Sequence, residues 1–122
     1  MAEKPVILVV DDDVPILQLM QNLLREFGFE PLTAASGNEA IDLARRRRPS
    51  LVLLDKQMPG MTGEDVIRTL RDDHGLADLP ILIVSGAPVS KSELTTLRAN
   101  GAVLKPFDVM ALVQQIRDHL AP

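Results

Sequence analysis

Short runs of consecutive apolar residues alternate along the chain with stretches in which apolar residues recur every three or four positions, five times over. Val6-Ile7-Leu8-Val9-Val10 is continuous, β-branched and short, the pattern of a strand buried on both faces. Behind it Ile16, Met20, Leu23, Leu24 and Phe27 keep helical spacing, and Gly28 is placed to end that helix. A weaker second strand is expected around Glu30 to Ala34, then the capping-box sequence Ser36-Gly37-Asn38-Glu39, with Ile41 and Ala44 facing inward. Leu51-Val52-Leu53-Leu54 predicts the third strand, and Val66, Ile67 and Leu70 mark the third helix. Pro80-Ile81-Leu82-Ile83-Val84 predicts the fourth strand. Ser90-Lys91-Ser92-Glu93, a second capping box, opens a fourth helix that Asn100-Gly101 ends. Ala102-Val103-Leu104 makes a short fifth strand. Asp108 then caps a last helix with the stripe Val109, Leu112, Val113, Ile116 and Leu120.

Strands alternating with helices of this length imply an α/β fold with a parallel sheet covered on both faces. Right-handed crossovers leave few topologies, and the simplest for five units is a flavodoxin-like (βα)5 fold with strand order 2-1-3-4-5. The 122 residues suit one domain, 1–122, with a core from about residue 5 to 120. Apolar residues make up 46% of the chain, enough for a core, while aromatics are 2% with no Trp or Tyr. The core is therefore aliphatic, and a stacking surface for single-stranded nucleic acid is not expected. A net charge of −4 argues equally against direct nucleic-acid binding. Without cysteine there are no disulfides, thiolate nucleophiles or cysteine zinc sites. No apolar run approaches a membrane span and the N-terminus lacks a signal-peptide pattern, so a cytoplasmic protein is expected.

In an open parallel sheet, ligands bind beyond the carboxyl ends of the strands, where the strand order reverses. Asp11, Asp12 and Asp13 follow the first strand, Asp55 the third, Ser85 the fourth and Lys105 the fifth. In the order 2-1-3-4-5 the first and third strands are neighbours, so the two acidic groups converge. Clustered carboxylates repel unless a cation intervenes. An all-oxygen set favours a hard ion such as Mg²⁺ or Mn²⁺. A carboxylate can also attack phosphorus to give an acyl phosphate. Phosphoryl transfer then needs charge neutralisation on the equatorial oxygens, which a metal, a Lys and a hydroxyl can supply.

Val10-Asp11-Asp12, Asp55-Lys56-Gln57-Met58-Pro59 with Gly63, Ser85-Gly86-Ala87 and Lys105-Pro106-Phe107 occur in the order and rough spacing of one family. Over essentially the whole chain, from about Pro5 to Leu120, the sequence resembles the receiver domain of two-component response regulators. The resemblance implies a phosphoacceptor at Asp55, loaded in a metal-dependent reaction. Its donor would be a phosphohistidine on a sensor histidine kinase or a histidine phosphotransfer protein. It implies metal ligation by Asp11, Asp12, Asp55 and the backbone carbonyl of Gln57. Lys105 would pair with the phosphoryl oxygens, Ser85 would turn its hydroxyl onto them, and the Lys105–Pro106 bond would be cis. Such a domain catalyses only its own phosphorylation and dephosphorylation and is not an enzyme in the ordinary sense. It would signal to a downstream protein through the face of the fourth helix, fifth strand and fifth helix, as a monomer or transient dimer.

Two positions depart from the family pattern. Ala102 stands where the family often has an aromatic residue that reports phosphorylation. Lys56 replaces a usual apolar or aromatic residue, and either steadies phosphate or extends into solvent. Gln57 and Ala87 stand where the family tunes the lifetime of the acyl phosphate. Asp13 is expected to cap the first helix ahead of Val14-Pro15. Arg45 to Arg48 are read as cations at a helix C-terminus, with a docking patch for an acidic partner as the alternative. His74 and His119 have no neighbouring ligand set, and Met58 and Met61 are expected to pack the loop after the third strand. Two other functions are consistent with parts of the pattern. One is a receiver-like interaction module that is never phosphorylated. The other is a haloacid-dehalogenase-type phosphatase, suggested by Asp11-x-Asp13 but short of that motif at Pro15.

Overall fold

The computed structural model describes residues 3–120, so the ends of the predicted domain, residues 1–2 and 121–122, lie outside it. Ten elements alternate along the chain. They are β1 (Val6–Val10), α1 (Val14–Glu26), β2 (Glu30–Ala34), α2 (Gly37–Arg47), β3 (Leu51–Asp55), α3 (Gly63–Arg71), β4 (Ile81–Ser85), α4 (Lys91–Leu97), β5 (Gly101–Leu104) and α5 (Val109–His119). The strands form one parallel sheet in the expected order β2-β1-β3-β4-β5.

The continuous apolar runs follow from this sandwich, because successive strand residues face opposite sides. Leu8, Val10, Val52, Leu54, Ile81 and Ile83 point to the side covered by α2, α3 and α4. Ile7, Val9, Leu51, Leu53, Leu82 and Val84 point to the side covered by α1 and α5. Leu76 and Leu79, from the turn after α3, also join the first of these cores. They escaped the sequence reading because an isolated pair in an irregular segment has no period.

Several boundaries differ by a residue. Asp55 and Ser85 are the last residues of β3 and β4 rather than the first beyond them, and Pro80, having no N–H to donate, stays outside β4. Gly101 opens β5 instead of ending α4. The helix closes at Arg98, whose φ of 63° is left-handed. Asn100 bridges to the sheet, donating its N–H to the Ile81 carbonyl at 2.8 Å and accepting the Ile81 N–H on Oδ1 at 2.9 Å. Gly28, at φ 89°, follows α1 as predicted.

An acidic cleft at the carboxyl ends of the strands

Strand register brings the chemistry together. Val10 pairs with Leu54 and Asp55 pairs with Val84, while Ser85 pairs with Leu104. Asp11, Asp55, Ser85 and Lys105 therefore stand at one level along the sheet edge, carried by four strands. Carboxylate oxygens of Asp11, Asp12 and Asp55 all lie within 4.8 Å of one another. The Lys105 ammonium stands 3.7 Å from Asp55 Oδ2 and 3.8 Å from Asp11 Oδ2. An open cleft of about 530 Å³ leads to this group, with Ile16, Pro106 and Phe107 on its rim. The Lys105–Pro106 peptide is cis, as expected.

Asp11 is only 5% exposed. Its N–H donates to the Ala34 carbonyl, and its Oδ1 accepts the Asp13 N–H at 2.9 Å. Burial pushes its carboxyl above the usual range; the neighbouring Asp55 and Asp12 add to the rise, and the Asp13 N–H and Lys105 oppose it. Asp12 is exposed at the mouth. Asp55 Oδ1 accepts the Gln57 N–H at 3.2 Å, which fixes the carboxylate against the start of the following loop. That loop passes so close to α3 that a Cβ on Gly63 would stand 3.2 Å from the Lys56 carbonyl oxygen and 3.3 Å from that of Asp55. A side chain there would press the Asp55–Lys56 backbone out by a few tenths of an ångström.

Ser85 is 6% exposed and its hydroxyl is engaged locally, donating to the Ala87 carbonyl at 2.8 Å and accepting the Ala87 N–H at 3.2 Å. It stands at the site's edge but turned toward the β4–α4 loop. Asp13 is drawn out of the cluster, since its side chain accepts the Ile16 N–H as the N-cap of α1. That removes the second carboxylate on which the Asp11-x-Asp13 phosphatase pattern depended.

Lys56, left between two alternatives by the sequence, takes a third course. Its ammonium pairs with Glu93 at 2.7 Å. The Arg45–Arg48 run likewise finds partners within the chain, at its surface. Arg45 meets Asp73, Arg46 meets Asp42, Arg47 meets Glu30, and Arg48 donates to the Gly75 carbonyl. Met58 is buried and Met61 packs against the same core, as expected. His119 bonds the Gln115 carbonyl of its own helix at 2.8 Å and joins no ligand set among the described residues.

The donor set suits a hard divalent cation. Among the described residues the ligand group is three carboxylates with no histidine or cysteine, and a cation between them would relieve the repulsion that helps hold the Asp11 carboxyl up.

Comparison with known proteins agrees with this fold. Residues 7–117 match the response regulator receiver domain family. The polar-differentiation response regulator DivK of Brucella anthropi is 32% identical over 117 residues, 93% of this chain and 94% of that protein. The chemotaxis protein CheY4 of Vibrio cholerae superposes with a TM-score of 0.90 at 30% identity, covering 96% of this chain and 99% of that one. TrrA of Thermotoga maritima, a response regulator whose structure holds Mg²⁺-BeF, superposes with a TM-score of 0.84 at 32% identity, covering 95% and 99%. The chain spans about half the length of the DNA-binding response regulators it also matches.

Proposed function

The chain belongs to the response regulator receiver domain family, signalling modules of two-component systems, and from that premise we propose that it accepts a phosphoryl group on Asp55. The observation that carries the reading is the convergence of three carboxylates and one ammonium, from three strand ends, on a cleft open to a donor.

Asp11, Asp12 and Asp55, with the backbone carbonyl of Gln57, would hold Mg²⁺ or Mn²⁺. A bound divalent cation supplies neutralisation of the negative phosphoryl oxygens. The chain's own groups do the rest. An oxygen of Asp55 attacks phosphorus in line as the phosphorus–nitrogen bond of the donor's phosphohistidine breaks. The imidazole leaves with the bonding pair and takes up a proton. Because the Gln57 N–H holds Asp55 Oδ1, Oδ2 is the oxygen free to attack, and it is the one nearer Lys105. Lys105 moves from carboxylate to phosphoryl oxygen, giving up two distant partners for a direct one. Ser85 gives up its bond to the Ala87 carbonyl and donates to a phosphoryl oxygen instead. Hydrolysis later breaks the phosphorus–oxygen bond to Asp55 and restores the carboxylate.

The donor is a sensor histidine kinase or a histidine phosphotransfer protein, and the setting is the cytoplasm. The output partner is a protein that meets α4, β5 and α5, where Leu104 is 50% exposed and Met110 60% exposed. The domain covers residues 1–122 as a monomer or transient dimer and does not itself bind nucleic acid. Among the described residues no helix is long and apolar enough to cross a membrane.

Amide spectra recorded first with Mg²⁺ and then with added beryllium fluoride test the site. Mg²⁺ alone should shift the amides of residues 11, 12, 55 and 57. The fluoride should then move Ser85 and Lys105 in the wild type and leave Asp55→Asn unchanged. Equal responses in wild type and Asp55→Asn contradict the assignment.

A further inference from the structure

Glu93 is the third residue of α4, and Ser90 is its N-cap. In a capping box the carboxylate at that position folds back onto the N-cap N–H. Ser90 keeps its half, its Oγ accepting the Glu93 N–H at 3.0 Å. The Glu93 carboxylate instead takes the ammonium of Lys56, 37 residues away in sequence, at 2.7 Å. Lys56 directly follows Asp55. Its N–H donates to the Val84 carbonyl at 3.0 Å, and the next N–H, from Gln57, holds the Asp55 carboxylate. The backbone that positions the acceptor is thus tied by charge to the first turn of α4.

α4 is an element on which such a tie tells. It has seven residues and buries none of its side chains, with Leu94 and Leu97 only partly covered. A cavity of about 210 Å³, lined by Lys56, Gln57, Gly63, Ile67, Glu93 and Leu97 among others, opens between it and α3. The helix therefore has room to shift on this side. Ala102 offers no ring on β5 to link this face to the site.

We propose that the Lys56–Glu93 ion pair is a latch coupling the Asp55–Gln57 segment to the docking of α4. The latch rests on the phosphoacceptor reading and extends it. A phosphoryl group on Asp55 displaces the Lys56 and Gln57 backbone, the ammonium moves with it, and the first turn of α4 follows. The two side chains are 34% and 37% exposed, so the pair is weak enough to break and re-form as the acceptor is loaded and cleared.

Hydrogen exchange of the whole chain, with and without Mg²⁺ and beryllium fluoride, tests this. Lys56→Met removes the pair while leaving Glu93 at the helix N-terminus, where its charge is favourable in any case. In the unloaded variant the α4 amides should exchange about two- to fivefold faster than in wild type. Their response to beryllium fluoride should shrink, and Lys56→Arg should restore both. The latch is overturned if α4 exchange in Lys56→Met matches wild type, or if the fluoride moves α4 equally in both. The amides of residues 55–57 separate the two ideas: their silence in wild type breaks the phosphoacceptor reading itself, and the latch with it.

Discussion

Asp11 carries a cost that its position explains. Its carboxyl is buried beside two other aspartates and sits above its ordinary range, so the folded, metal-free protein binds more protons there than the unfolded chain. Stability must then fall as pH rises from the ordinary carboxylate value through the raised folded one. Asp11→Asn keeps an acceptor for the Asp13 N–H and removes the charge. Thermal melts in chelator should show the variant melting a few degrees higher than wild type near neutral pH, with a flatter pH dependence through that window. Its stabilisation by added Mg²⁺ should shrink. A lower melting temperature in chelator would contradict the electrostatic account of the cluster. The aspartates were legible in the sequence because they directly follow short apolar runs, and the parallel order makes those ends neighbours. Lys56 was not, because its partner is 37 residues distant and nothing periodic connects them. The arginines of α2 were half legible: their place near the helix C-terminus suggested a structural role, but not that Arg45 would reach Asp73 beyond α3.

At the scale of elements, helix starts are set by short polar side chains. Asp13, Ser36, Thr62, Ser90 and Asp108 all serve as N-caps. The reciprocal half of the box is less predictable, because a carboxylate goes to whichever donor folding brings near. Glu39 reaches the Ala35 N–H rather than that of Ser36, and Glu93 goes to Lys56. Among the described residues a complete box forms at Thr62 and Asp65, ahead of a helix that the sequence shows only by its apolar stripe. Replacing Asp108 by Ala should cost about 1 kcal/mol by urea denaturation, the usual worth of a cap. A change near zero would mean the start of α5 is held by packing alone. Arg71, at the end of α3, does more. Its guanidinium donates to the carbonyls of Ala77, Leu79 and Arg98 and to Asn100 Oδ1, all between 2.7 and 3.0 Å. One side chain thereby fastens the turn after α3, the end of α4 and the approach to β5. Arg71→Met should destabilise by about 1–2 kcal/mol, since the partly buried Leu79 carbonyl loses its donor while the Ala77 and Arg98 carbonyls stay within reach of water. Denaturation curves that superpose on wild type would refute that role.

For the whole molecule, the sheet is what makes a site out of separated residues. Five parallel strands need helices on both faces, and the two cores divide the apolar residues of each strand between them. The carboxyl edge is left for polar groups, and that edge carries Asp11, Asp12, Asp55, Ser85 and Lys105 from four strands. The fold class, the strand order and the residues of the cleft could all be read from pattern and position. The orientation of Ser85 toward Ala87 and the tie between the β3–α3 loop and α4 could not, since both depend on side-chain partners that no sequence period marks. The central claim is that Asp55 takes a phosphoryl group in a cleft prepared for a divalent cation. Intact-mass spectrometry after incubation with Mg²⁺ and acetyl phosphate tests it most directly, with Asp55→Asn and a chelator control alongside. A gain of one phosphoryl mass that requires both Asp55 and the metal is the predicted result. A gain that survives Asp55→Asn, or no gain in a folded wild-type chain that binds Mg²⁺, would contradict it.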